Sequence, residues 1–291
     1  MRRAPTDTTS RLGADDTEAA LTTPSLSEGE EGMTTDNSST GIEAYTTFLE
    51  HKRVVAVQSG ITVDPGEIHP LLKPHQRLTV AWAVQGGRRA IFHSFGMGKS
   101  LQQLEICRLI MQHKGGAGLI VCPLNVRREF LNDARKIALP IRFIQETSAI
   151  DGDGLYLTNY ESVREGKLDP SSFTVISLDE AAVLRSGGAS KTFRTLMGYF
   201  EGTSTFRFLA TAVPAPNDYT EMLVYSDWLG VMDQSEAKTR FFKRDSTKAD
   251  RLTLHAHKEE EWYRWLASWA VFLQSPAQVC TCGCHEGVAH A

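Results

Sequence analysis

The 291-residue chain contains no uninterrupted run of 18 apolar residues, so nothing in it reads as a membrane-spanning helix. The opening stretch "MRRAPTDTTSRLGADDTEAALTTPS" lacks the apolar centre of a secretory signal, and the cytoplasm is the expected compartment. Cysteine is scarce and unevenly placed. The five cysteines (107, 122, 280, 282 and 284) are an odd number with three crowded into the last dozen residues, which excludes a secreted disulfide framework and suits a reducing environment. No repeat of 20–50 residues is visible, which excludes a solenoid or propeller. A large excess of either charge is also missing. The formal net charge is −4, but residues 1–40 hold three Arg against eight Asp or Glu, so that stretch is −5 and the remainder about +1.

What the chain does have is enough apolar residues, 41%, for one substantial core. Residues 1–41 are rich in Thr, Ser, Gly, Asp and Glu with isolated Leu, and read as a disordered acidic tail. Met33 is an alternative start. From Ile42 short apolar runs alternate with helix-length stretches, the pattern of an α/β fold with a mostly parallel sheet flanked by helices. Strands are expected at 89–94, 118–123, 141–145, 154–159, 173–179 and 206–211, most of them nearly continuous in apolar residues as strands covered on both faces must be. Crossover helices are expected at 99–114, with Leu101, Leu104, Ile106, Leu109 and Ile110 largely along one apolar stripe, and at 125–138 and 191–202. After Pro216 the segments 216–232 and 257–273 read as helices. In the second, Trp262, Trp265, Leu266, Trp269 and Phe272 or Leu273 follow the rhythm of a buried face, and packing is favoured over a stacking platform for nucleic-acid bases. The expected boundaries are an α/β domain at 42–230, a helical extension at 231–274 and a ragged end at 275–291.

"FHSFGMGKS" (92–100) lies between a strand and a helix, where consecutive backbone N–H groups and the helix N-terminus favour a phosphate. Gly96 and Gly98 allow close approach of backbone, Lys99 can reach the β and γ phosphates, and Ser100 can ligate Mg²⁺. The template G-x-x-x-x-G-K-[ST] asks for glycine where His93 stands, so a plain helix start with a surface lysine is the alternative. Such a loop needs carboxylates at the end of a neighbouring strand. "FTVISLDEAA" offers Asp179, suited to hold Mg²⁺, and Glu180, suited to polarise the attacking water.

Together these segments resemble the first RecA-like motor domain of superfamily 2 helicases and translocases, in the Swi/Snf-like and phage DEAD/DEAH-box branch, over residues 68–230. "LLKPHQR" is similar to the adenine-recognition motif, "FGMGKS" to motif I, "GLIVCPLNVRREF" to motif Ia, "SLDEAA" to motif II and "LATAVPAPN" to motif III. The resemblance implies Mg²⁺ and ATP as cofactors and DNA as partner. It implies that Gln76 contacts adenine, that Gly96, Gly98, Lys99 and Ser100 hold phosphates and metal, and that Asp179 and Glu180 serve metal and water. It further implies that Thr211 couples nucleotide state to DNA, and that Arg127 and Arg128 contact the nucleic-acid backbone, the alternative being two solvated arginines. Two motifs depart from the family: Ala182 stands where motif II has His or Asp, and motif III reads T-A-V-P. Both positions bear on coupling more than on hydrolysis.

In this superfamily a second RecA-like domain supplies arginines to the ATP site, and no Q-x-x-G-R-x-x-R arrangement follows motif III here. The chain is therefore expected to be a half-motor or a truncated fragment, binding ATP and hydrolysing it weakly. Alternative readings are a P-loop NTPase unrelated to nucleic acid and a non-catalytic regulatory module. Among smaller candidates, Cys280, Cys282, Cys284 and His285 lack the usual zinc-ligand spacing. His93, His255 and His257 read as helix-cap or surface residues. "KTRFFKRDSTK" (238–248) offers five basic residues around two phenylalanines, either a DNA-backbone contact or a solvated loop.

Overall fold

The computed structural model describes residues 54–185, 191–200, 205–215, 218–244 and 252–279, all within the compact unit His51–Ala291. The expected acidic tail at 1–41 and the cysteine cluster at 280–284 lie outside the described residues. Seven strands form one sheet: β1 (Arg88–His93), β2 (Gly118–Cys122), β3 (Ile141–Phe143), β4 (Leu155–Asn159), β5 (Val175–Asp179), β6 (Phe206–Thr211) and β9 (Ala270–Leu273). Their order is β3-β4-β2-β5-β6-β1-β9, and every pairing is parallel. A separate antiparallel hairpin joins β7 (Phe242–Arg244) to β8 (Leu252–Leu254).

The six strands expected from the sequence are all present. Residues alternate between two cores, as the two-residue period of a strand requires. Ala90 and Phe92, Leu119 and Val121, Ile176 and Leu178, and Leu209 enter one core; Ile91, Ile120, Cys122, Val175, Phe208 and Ala210 enter the other. The second core is closed by α1 (Pro74–Gly86), α2 (Lys99–Lys114) and α3 (Arg127–Lys136). The first takes α4 (Tyr160–Arg164), α5 (Lys191–Phe200), α6 (Glu221–Leu229), α7 (Gln234–Phe241) and α8 (Glu259–Trp269). Among the described residues no helix is long and apolar enough to cross a membrane.

Two expectations need correction. The segment 257–273 is not one helix: α8 stops at Trp269 and the next four residues turn extended, pairing beside β1 with Ala90 opposite Ala270 and His93 opposite Leu273. Phe272, offered as part of the helical stripe, sits instead on the edge strand and is 42% exposed, while Leu273 is buried. The stretch beyond residue 230 thus holds three strands besides its helices. Second, α2 is not amphipathic in the ordinary sense, because Gln102, Gln103 and Glu105 are as buried as its leucines.

The tryptophans pack as core. Trp262, Trp265 and Trp269 are fully buried, with ring centroids 5.1 Å and 5.3 Å apart along α8, and Phe241 lies 5.3 Å from Trp262. No face is left for a nucleic-acid base. Truncating Trp265 to Ala should therefore cost about 3–5 kcal/mol of stability in urea unfolding. Fluorescence of these three residues should resist acrylamide and stay unchanged on adding DNA; quenching by DNA would contradict the packing.

Candidate nucleotide site

Because β1, β5 and β6 are adjacent and parallel, the segments that follow them emerge at one carboxyl edge, where α/β sheets bind ligands. β1 leads into the glycine loop, β5 ends in Asp179 and Glu180, and β6 ends in Thr211. The loop holds Gly96 and Gly98 in left-handed backbone, φ 77° and 72°. A Cβ on Gly98 would lie 2.3 Å from Gln76 Nε2, and its positive φ strains any residue with a side chain; at Gly96 nothing lies within 4 Å, and the loop is open outward. Helix α2 starts at Lys99, whose ammonium donates to the carbonyls of His93 (2.9 Å) and Ser94 (3.1 Å). Phe95, 78% exposed, lies under that ammonium at 5.4 Å.

One turn along α2, on the same face as Lys99, Gln103 spans the gap to β5. Its Nε2 donates to Asp179 Oδ1 (2.8 Å) and its Oε1 accepts from the Ser177 hydroxyl (2.7 Å). The Asp179 carbonyl is held from the opposite side by the Tyr160 hydroxyl at 2.7 Å. Glu180 then takes a left-handed backbone, φ 51°, costly for a residue with a side chain. That turn brings its carboxylate to Thr211, whose hydroxyl donates at 2.9 Å. Lys99, Asp179, Glu180 and Thr211 thus converge on one edge.

Electrostatics agree with the distances. Burial pulls the Lys99 pKa down, and the charges of Asp179 and Glu180 pull it back up. Burial pushes the Asp179 carboxyl up to about 6, against the Gln103 hydrogen bond and Lys99, with the Glu180 charge adding to the rise. Ser100, at the second position of α2, donates its hydroxyl to Asp133 of α3 at 2.5 Å.

The other expected residues fall in different places. Gln76 is buried behind the loop; its Nε2 donates to Met97 O (3.0 Å) and its Oε1 accepts from Lys73 N (2.8 Å). One amide hydrogen and one lone pair remain. Arg127 places its guanidinium 3.8 Å over the Phe143 ring, and Arg128 beside it is exposed. His93, expected at a cap or on the surface, is fully buried and kept neutral by burial and by Lys99 and His75, its pKa lowered to about 3. His255 does stand at the N-cap of a short 3₁₀ turn. In "KTRFFKRDSTK", Phe241 and Phe242 are core residues and Arg240 pairs with Glu261, so the aromatics cannot meet a ligand; 245–248 lie outside the described residues. Gln103, Ser177 and Asp133 were missed by sequence reasoning. A lone hydroxyl in the apolar strand "VISLD" was the available signal, since a buried Ser needs a partner.

No protein-family profile matches the chain, and no curated protein does. Solved structures do. The SWI2/SNF2 ATPase core of Sulfolobus solfataricus, solved in complex with dsDNA, superposes with a TM-score of 0.58 at 21% identity, over 73% of this chain and 46% of that one. The UvsW helicase of bacteriophage T4 (17% identity, 65% of this chain and 66% of that, TM-score 0.42) and the Pyrococcus furiosus Hef helicase domain (14%, 64% and 43%, 0.45) are more distant. The described residues share the RecA-like α/β fold of the Sulfolobus ATPase core, and the chain spans less than half of that structure.

Asp179 gives this site a pH signature. Its folded pKa of about 6 lies above the ordinary 3.8, so the folded state binds the proton more tightly and stability falls as pH rises between those values. Above pH 6 the whole penalty applies, on the order of 2–3 kcal/mol. Asp179→Asn, which keeps an acceptor for Gln103, should unfold at higher temperature than the parent at pH 8 and at the same temperature near pH 4. A variant less stable at pH 8 would contradict the buried charge.

Proposed function

We propose that this chain is the ATP-binding first motor domain of a DNA-dependent ATPase of the helicase and translocase type. The observation that carries the reading is the convergence of Lys99, Asp179, Glu180 and Thr211 at one carboxyl edge, fixed by the Gln103 amide between α2 and β5.

The residues fit a magnesium-bound triphosphate. The loop is open above Gly96, and the Lys99 ammonium rests on two backbone carbonyls, acceptors that phosphate oxygens would replace. Ser100 and Asp179 would each offer a hard oxygen donor of the kind Mg²⁺ takes. Bound there, the metal would neutralise charge on the phosphates. Lys99 holds the phosphate tail against the N-terminus of α2. Asp179, kept at a fixed angle by Gln103 and Tyr160, orients the metal side of the site. Glu180 accepts the Thr211 hydrogen bond on one oxygen, which leaves the other to take a proton from water. Thr211 ends β6, so a change at Glu180 is felt in the segment after β6. DNA as effector is supported by the complex in which the Sulfolobus ATPase core was solved. A second RecA-like domain, in this chain's natural context or as another chain, would add the arginines that speed turnover; alone, hydrolysis is slow, by about 10³-fold or more.

Binding of a fluorescent ATP analogue with Mg²⁺, and phosphate release with and without double-stranded DNA, test the reading. Lys99→Ala should weaken binding at least tenfold and abolish the residual rate, and DNA should raise the parent's rate. A parent no better than Lys99→Ala refutes the ATPase reading; a rate indifferent to DNA even with a second motor domain supplied favours a P-loop enzyme unrelated to nucleic acid.

A further inference from the structure

We propose that Asp133 is a positioning residue for the Ser100 hydroxyl, fixing it as a metal ligand from the neighbouring helix α3. The inference rests on the nucleotide reading above. A serine hydroxyl has one hydrogen and two lone pairs. As a metal ligand it must turn a lone pair to the cation, so its hydrogen has to go elsewhere. Here the destination is already built: Ser100 Oγ donates to Asp133 Oδ2 at 2.5 Å, with both residues more than nine-tenths buried. The other carboxylate oxygen, Oδ1, accepts from Lys136 at 2.7 Å, so the group cannot rotate freely. Phe130 and Ala134, on either side of Asp133 along α3, are buried in the core beneath α1–α3 and fix the helix.

The partner is a carboxylate rather than a neutral acceptor. A charge-assisted bond is stronger and draws the hydroxyl proton outward, which leaves its oxygen a better donor to a cation. An ordinary docking bond between two helices would be served equally by any acceptor, and would affect nucleotide binding with or without metal alike. The two roles therefore separate in the laboratory.

The experiment is a magnesium titration of the full chain with a fluorescent ATP analogue, reading the Mg²⁺ concentration that gives half-maximal tightening. Asp133→Ala should raise that concentration about tenfold and leave metal-free binding unchanged. Asp133→Asn, which keeps an acceptor but not the charge, should raise it about threefold; it also carries the test should the alanine variant not fold. In a Ser100→Ala background neither substitution should move the curve further. An unmoved curve in the single variants overturns the proposal, as does an equal loss of binding with and without metal, or full additivity with Ser100→Ala. A parent whose nucleotide binding ignores Mg²⁺ refutes the nucleotide reading and this inference together, whereas a magnesium-dependent parent with an unmoved Asp133→Ala refutes this inference alone.

Discussion

A single carboxamide joins the two halves of this site. Gln103 takes a hydroxyl hydrogen from Ser177 and gives one of its own to Asp179, so its orientation is fixed by two residues of the same strand, two apart and on the same face. Because Gln103 lies on α2 four residues after Lys99, the bond also fixes where the loop lysine sits relative to the carboxylates. Apolar contacts between α2 and the sheet are strong but indifferent to small rotations. The polar bridge makes the register of helix on strand specific. Its burial raises the stakes, since either partner left alone would be an unsatisfied group in the core.

The same edge concentrates costs that the rest of the fold must offset. Asp179 resists ionisation in its buried place, Glu180 occupies a left-handed backbone, and Lys99 is partly desolvated. Unfavourable local choices of this kind persist only when the surroundings over-determine them. Here the surroundings are two cores on either face of a seven-stranded sheet, one of them holding four fully buried tryptophans. Helix α3, which begins with Arg127 and Arg128, also holds the Ser100 hydroxyl through Asp133, so the loop is tied to a second helix as well as to β5.

Much of the fold was legible in the sequence because strands buried on both faces leave continuous apolar runs, and all six expected strands are present. β9 was not legible. "AVFL" follows a tryptophan stripe at spacings that continue the helical rhythm, and over four residues periods of 2 and 3.6 cannot be told apart; no Gly or Pro marks the end of α8 at Trp269. β7 and β8 are three residues each, too short for any period. Within the site, the glycines, Lys99, Ser100 and the Asp179-Glu180 pair could be named because their chemistry needs those residue types at those places. Gln103 and Asp133 could not, since a polar residue on a helix ordinarily reads as solvent-facing, and what they touch depends on packing 33 to 76 residues away.

The central claim is that the loop and the Asp-Glu pair enclose one magnesium-bound triphosphate. Its most direct test is a crystal structure of the chain with Mn²⁺ and a non-hydrolysable ATP analogue, reading the metal from its anomalous signal. The account predicts one Mn²⁺ bound directly by Ser100 Oγ and within one water of Asp179, with phosphate oxygens on Lys99. A metal or nucleotide bound away from that edge, or a metal that reaches neither Ser100 nor Asp179, would contradict it.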